Sequence, residues 1–278
     1  MSLDAFTQLT GVLGCPVRHS LSPAMHNAAF RALGLNWVYL AFETPPESLP
    51  MAVAGMRGLG IRGLNLTVPH KEAVIPLLDT LTDTARRIGA VNTLFWDKGQ
   101  LVGDNTDAEG FLRALRESGV EPAGQTVLIL GAGGAARAVA YALASLGCRL
   151  ILANRTLERA RALAEAFHAQ ATPMHQESLR KIVPAVNGIV NCTALGMTPN
   201  TETTPPVDWE LVPETAWICD LVYRPLRTRL LREAESRGLK TIDGLGMLIH
   251  QGALAFERWT GQPAPLEAMR QSAEAQLE

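Results

Sequence analysis

The sequence has no excess of either charge: 25 lysines and arginines stand against 27 aspartates and glutamates, for a formal net charge of −2. Binding nucleic acid through its phosphates needs a basic face, and a solvated tail needs a block of like charge; neither is present. No stretch approaches the roughly 18 uninterrupted apolar residues of a membrane span. The opening "MSLDAFTQLTGVLG" lacks the charged-then-apolar layout of a signal peptide. Cys15, Cys148, Cys192 and Cys219 are far apart and each lies in or beside an apolar run, which fits reduced thiols in a cytoplasmic protein. The six histidines form no HxxxH or HExxH pattern, so no metal is expected. Fixed-period repeats and low-complexity tracts are also missing. At 278 residues, 47% of them hydrophobic, the chain has the length and the apolar content for two globular domains.

What is present is alternation. "TGVLGCPV", "NWVYLAFE" and "IRGLNLTVP" read as strands, with helices between them. "SPAMHNAAFRALG" reads as a helix with Ser22 at its N-cap, Pro23 in its first position and Gly34 as terminator. "AVNTLFWDKGQLVGDN" reads as a hairpin turning at Asp97–Gly99. A second αβ series follows the polar break "SGVEPAGQ". The expected fold class is α/β, with mainly parallel sheets covered by helices. One stretch, "NLTVPHKE", resists a purely structural reading. With Leu64, Leu66 and Val68 pointing into a core, alternation puts Asn65 and Thr67 together on the opposite face. Pro69 suits a first helical turn, but Lys71 in that turn opposes the helix dipole, so local stability does not explain it.

"TVLILGAGGAARAVAYALASLG" joins an apolar strand to a helix through Gly131-x-Gly133-x-x-Ala136. Gly131 permits the tight turn, Gly133 lets backbone approach a pyrophosphate, and Ala136 allows close helix–strand packing. Unpaired N–H groups at the helix start then receive the anion. At the end of the next strand stand Asn154, Arg155 and Thr156, where an NAD site usually places an acid. Arg155 offers a guanidinium and Thr156 a hydroxyl to a 2′-phosphate, which favours NADP. The competing reading makes Arg155 an exposed loop residue and Thr156 a helix N-cap.

The chain resembles the shikimate dehydrogenase family along nearly its whole length. The resemblance is carried by "HSLSPAMHN", "NLTVPHKE", "GAVNTL", "GDNTD", "GAGGAARA", "ANRT", "VNCTALGM", "DLVYRPLRT" and "DGLGMLIHQGALAFERWTG". It implies an enzyme that interconverts 3-dehydroshikimate and shikimate with NADP, in aromatic amino-acid and chorismate biosynthesis. It also implies a substrate domain over residues 1–103, rejoined by 239–278, and a Rossmann-like dinucleotide domain over 104–238. Lys71 becomes the acid/base and Asp107 its partner. Ser20, Ser22, Asn65, Thr67, Asn92, Tyr223 and Gln251 become substrate residues. Gly131, Ala132, Gly133, Gly134, Ala135, Asn154, Arg155 and Thr156 become cofactor residues, with Leu221 and Gly244 at the nicotinamide and Asp83 a further contact. Such a protein takes a small-molecule substrate, no nucleic acid and no membrane, as a monomer or homodimer. Two other readings stand beside this one. A quinate/shikimate-type relative would have broader substrate or cofactor use, and a catalytically idle NADP-binding sensor would have lost Lys71 or Asp107.

Overall fold

Mainly apolar runs of two to seven residues become strands, and the alternation noted above sorts them into two sheets. The structure, a computed structural model, describes residues 3–277. It divides into two compact units: one runs to Gly110 and resumes at Ile249, and the other covers Phe111–Leu248.

The first unit contains β1 (Gln8–Gly14), β2 (Trp37–Glu43), β3 (Gly63–Leu66), β4 (Thr80–Leu81), β5 (Thr93–Asp97) and β6 (Gln100–Asp104). Their order across the sheet is β2-β1-β3-β5-β6-β4, with β3/β5 and β5/β6 antiparallel. The β5–β6 turn places Lys98 and Gly99 at positive φ, the backbone that a two-residue hairpin with right-handed strand twist requires. Leu13, Leu64, Leu66, Leu94 and Leu101 form its core with Val53 and Met56 of the helix Leu49–Leu59. The helix Gly244–Thr260 supplies Trp259, whose indole fills the space beside Gly63 and donates to Leu94 O at 2.9 Å.

The second unit contains β7 (Thr126–Leu130), β8 (Arg149–Asn154), β9 (Gln170–Pro173), β10 (Gly188–Asn191), β11 (Trp217–Asp220) and β12 (Lys240–Ile242). Every pairing is parallel and the order is β12-β11-β10-β7-β8-β9. Strands buried on both faces explain the continuous apolar runs "TVLIL" and "GIVN". The order reverses at β7, so the carboxyl ends of β7 and β10 form the crevice where doubly wound sheets bind ligands.

Four local expectations change. Residues 239–248 do not belong with the substrate domain, because β12 pairs with β11 and extends the second sheet. Residues 104–110 lie in the first unit, held there by Asn105 Nδ2 donating to Ala90 O and Thr106 N to Asn92 Oδ1. Ser22 is the first residue of the helix Ser22–Ala32 rather than its N-cap, because Ser20 Oγ already accepts its backbone N–H at 3.2 Å. Val68 is 68% exposed rather than core: β3 ends at Leu66, and the Val68 carbonyl turns to accept from Cys15 N.

Candidate active site

Segment 65–71 runs out of β3, 92–93 leads into β5 and 104–107 follows from the last residue of β6, and together they build one buried hydrogen-bonded group. Lys71, in the short helix His70–Ala73, donates from Nζ to Asp107 Oδ2 at 2.5 Å. Asp107 opens the helix Asp107–Glu117, where a carboxylate is favoured by the dipole. The lysine charge that its own helix start disfavours is therefore met by a carboxylate 36 residues away. Both side chains are withdrawn from water, at 16% and 5% exposure. Asn92 Nδ2 donates to Asp107 Oδ1 at 2.8 Å and to Thr106 Oγ1 at 2.9 Å, with Gln251 Oε1 at 3.2 Å. Asn65 Nδ2 donates to Asn92 O and Thr93 Oγ1, and its Oδ1 accepts from Tyr39 Oη at 2.7 Å. Both Asn65 amide hydrogens are thus spent inside the protein.

Ser20 and Ser22 form a second group, joined to each other at the start of the helix Ser22–Ala32. Thr67 directly follows β3, and its methyl lies where a side chain at Gly14 would have to go. Asp83 sits at the start of the helix Asp83–Ile88, 88% exposed and paired with Arg86 at 2.9 Å. Three residues of the network, Tyr39, Thr93 and Thr106, are not singled out by the sequence. Thr93 and Thr106 lie inside the quoted "GAVNTL" and "GDNTD", so alternation in a buried strand end is the available signal. Tyr39 has none beyond being the one hydroxyl in an otherwise apolar run.

Two buried histidines, His70 and His26, serve structure. His70 Nε2 faces Thr44 O at 2.7 Å, and a carbonyl only accepts, so that nitrogen carries the proton. His26 is buried and stacked on Tyr39 at 4.3 Å, with neither ring nitrogen hydrogen-bonded, and burial holds its pKa down to about 3. Among the described residues no group of three or more His, Cys, Asp or Glu could hold a metal ion.

In the second unit Gly131 has φ +113, and a Cβ there would meet Cys192 O at 3.1 Å, so both backbone and space demand glycine. Gly133 differs. Its φ is −98, and a Cβ there would meet nothing within 4 Å. The protein itself leaves that space open, as a pyrophosphate cradle requires. The helix Gly134–Ser145 begins there with neither a side-chain cap nor an acid in its first turn, so the N–H groups around Gly134 and Ala135 remain available to an anion. Ala132 and Ala136 are buried against the sheet. At the end of β8, Asn154 Nδ2 donates to Thr156 O at 2.9 Å and shapes the turn. Arg155 is exposed. Thr156 occupies the N-cap of the helix Leu157–Ala166 without its side chain capping it. Arg159, exposed in the first turn of that helix, is a second guanidinium that the sequence motifs do not mark. These groups fit a dinucleotide carrying a 2′-phosphate. Leu221 and Gly244 are in contact: a Cβ at Gly244 would collide with Leu221 O. Tyr223 is partly buried, and burial raises its hydroxyl pKa.

Comparison with known proteins covers nearly the whole chain. Residues 12–94 match the family profile "Shikimate dehydrogenase substrate binding domain", residues 114–199 "Shikimate / quinate 5-dehydrogenase", and residues 244–274 "Shikimate 5'-dehydrogenase C-terminal domain". The chain is 51% identical to the shikimate dehydrogenase (NADP(+)) of Methanopyrus kandleri over 98% of this chain and 97% of that protein. It is 52% identical to that of Moorella thermoacetica over 97% and 93%. The crystal structure of shikimate 5-dehydrogenase from Thermus thermophilus in complex with NADP(H) and shikimate superposes with a TM-score of 0.89. That structure is 47% identical, covering 98% of this chain and 100% of that one.

Proposed function

The chain belongs to the shikimate dehydrogenase family, and on that premise we propose that it is an NADP-dependent oxidoreductase converting shikimate to 3-dehydroshikimate and back, in aromatic amino-acid biosynthesis. The observation that carries the reading is the Lys71–Asp107 pair, held in one buried group with Asn92 and Gln251. Oxidation of a secondary alcohol removes a hydride from carbon and a proton from oxygen. NADP, when bound, supplies the hydride acceptor, and the protein must supply the proton acceptor. Lys71 Nζ fills that role. As the neutral amine it takes the hydroxyl proton in this direction, and as the ammonium ion it returns that proton in the other. Asp107 orients Nζ and shares the substrate hydroxyl. A substrate hydroxyl at Asn92 would replace the Gln251 contact, the longest of the three that Nδ2 makes.

Ser20 and Ser22 supply hydroxyl donors for the substrate carboxylate, and Thr67 and Tyr223 are further substrate residues. Asn65, with both amide hydrogens engaged, shapes the pocket floor. Gly131 to Ala135 bind the pyrophosphate, Arg155 with Thr156 binds the 2′-phosphate, and Leu221 and Gly244 border the nicotinamide. Asp83, exposed and paired with Arg86, is a peripheral cofactor contact in this reading. Among the described residues no helix is long and apolar enough to cross a membrane, and we place the enzyme in the cytoplasm. The test is purified protein with shikimate or quinate, each against NADP or NAD, followed at the reduced-nicotinamide absorbance. Turnover with shikimate and NADP well above the other three combinations is expected. Comparable rates with quinate or NAD would move the protein to the broader-specificity reading, and no turnover with any pair would make it an idle binder.

A further inference from the structure

Three buried polar groups fix the sense of a chain of hydrogen bonds that runs from Tyr39 to Asp107. The Asn92 carbonyl only accepts, so the Asn65 group facing it at 3.1 Å is Nδ2, and Oδ1 therefore faces Tyr39, whose hydroxyl must donate. The Thr106 backbone N–H only donates, and it meets Asn92 Oδ1 at 2.8 Å. Thr93 Oγ1, having accepted from Asn65 Nδ2 at 3.1 Å, donates to that same oxygen at 2.9 Å, the nearer of its two acceptors, with Thr106 Oγ1 at 3.3 Å. The Asp107 carboxylate closes the series by accepting from Asn92 Nδ2 on one oxygen and from Lys71 on the other. The result is a directed path, Tyr39 O–H to Asn65, Asn65 N–H to Thr93, Thr93 O–H to Asn92, Asn92 N–H to Asp107, with the Thr106 hydroxyl bridging Thr93 and Asn92 at its side. Tyr39 and Thr93 are wholly buried, and the Tyr39 ring is clamped by the stacked His26.

We propose that Thr93 and Tyr39 are positioning residues for the reaction proposed above, acting on Asp107 through Asn65 and Asn92. Thr93 is the junction. Without its hydroxyl, Asn92 Oδ1 loses a donor and Asn65 Nδ2 an acceptor, and the amide plane that aims at Asp107 is freed on one side. Neither residue's hydroxyl is left over for substrate, so the effect falls on the rate of the chemical step rather than on substrate affinity. This proposal rests on the Lys71–Asp107 reading, and the assay separates the two.

The experiment is steady-state kinetics with shikimate and NADP on the wild type, Thr93→Val, Thr93→Ser and Tyr39→Phe, with melting temperatures measured alongside. Thr93→Val should lower kcat about tenfold or more with KM for shikimate changed less than about threefold. Thr93→Ser, which keeps the hydroxyl, should return kcat to within about twofold of wild type, and Tyr39→Phe should give a smaller loss of about threefold to tenfold. A merely structural role would move Tm and leave kcat per folded enzyme unchanged. Wild-type kcat in Thr93→Val or Tyr39→Phe overturns the proposal, as does a loss in Thr93→Ser equal to that in Thr93→Val. If Thr93→Val yields no folded protein, kcat of Tyr39→Phe alone decides. A wild type inactive on shikimate removes the functional reading itself, a result distinct from all of these.

Discussion

The candidate sites of the two units handle polarity in opposite ways. In the first, polar side chains are buried and locked to one another: Asn65, Asn92, Thr93, Thr106 and Asp107 are each at most 6% exposed, with hydrogen-bond partners within reach. In the second, the site consists largely of what is withheld. Gly133 leaves empty space, the helix Gly134–Ser145 carries no cap, and Thr156 sits at an N-cap without using its hydroxyl there. A small polyol acid has hydroxyls at fixed positions, so its site gains from donors whose directions are set in advance. A phosphate is a diffuse anion with many acceptor sites, and bare backbone N–H groups with a nearby cation suffice.

That contrast can be broken most severely at Lys71. Lys71→Ala should lower kcat by roughly 10²–10⁴ while direct binding of shikimate weakens much less. A retained kcat with a steeply raised KM would make Lys71 a binding residue only. In the second unit the effect should be smaller and confined to one cofactor. Arg155→Ala should cost NADP about 1.5–3 kcal/mol in kcat/KM, roughly tenfold or more, and leave NAD nearly unchanged. Equal losses for both cofactors would place the 2′-phosphate elsewhere.

The units should also answer to pH with opposite signs. His26 has a folded pKa of about 3 against 6.5, because burial disfavours the cation. Between those values the unfolded chain binds more protons, so its contribution to stability is lost as pH falls through that window. Asp220, at the end of β11, is pushed up to about 6 from 3.8 by burial, against opposing hydrogen bonds from Thr228, Val222 N and Asn191. Here the folded state holds the extra proton, so stability is lost as pH rises from about 4 to 6. Each slope is at most about 1.4 kcal/mol per pH unit. Amide exchange resolved by unit between pH 4 and 6 should show the first unit gaining protection with pH and the second losing it. His26→Phe should flatten only the first, and parallel trends in both units would refute these assignments. The smallest effect belongs to Ser20→Ala: a rise of a few-fold in KM for shikimate, about 1 kcal/mol, with far-UV circular dichroism unchanged. An unmoved KM would shift the carboxylate site away from Ser20.

The second unit is the more legible of the two from sequence. Its glycines, helix start and Arg155 lie within one strand–turn–helix and the end of the next strand, and local rules read them directly. The first unit's site joins residues 39, 65, 71, 92, 107 and 251, and no local rule pairs Lys71 with Asp107. That pairing comes through resemblance, because cross-strand and strand-to-helix contacts are set by tertiary packing. The same limit explains β12: three residues, Lys240–Ile242, read as the start of a return to the first domain until their pairing with β11 shows otherwise. The N-cap reading of Ser22 misses because a neighbouring hydroxyl, that of Ser20, accepts the backbone N–H at the helix start.

The division of the chain also has a bearing on its synthesis. Residues 249–278 complete the first unit: Trp259 packs beside Gly63, a Cβ at Gly252 would meet Met25, and Ser272 Oγ donates to Ala24 O at 3.0 Å. All of Phe111–Leu248 leaves the ribosome before them. The cofactor unit is one continuous stretch and can close as soon as it has emerged. The substrate unit, begun first, finishes last, with the apolar surface around Gly63, Met25 and His26 uncovered in the interval. Such nascent surface invites aggregation and chaperone binding, so the stretch of translation between Gly110 and Trp259 is when this chain is most exposed to both.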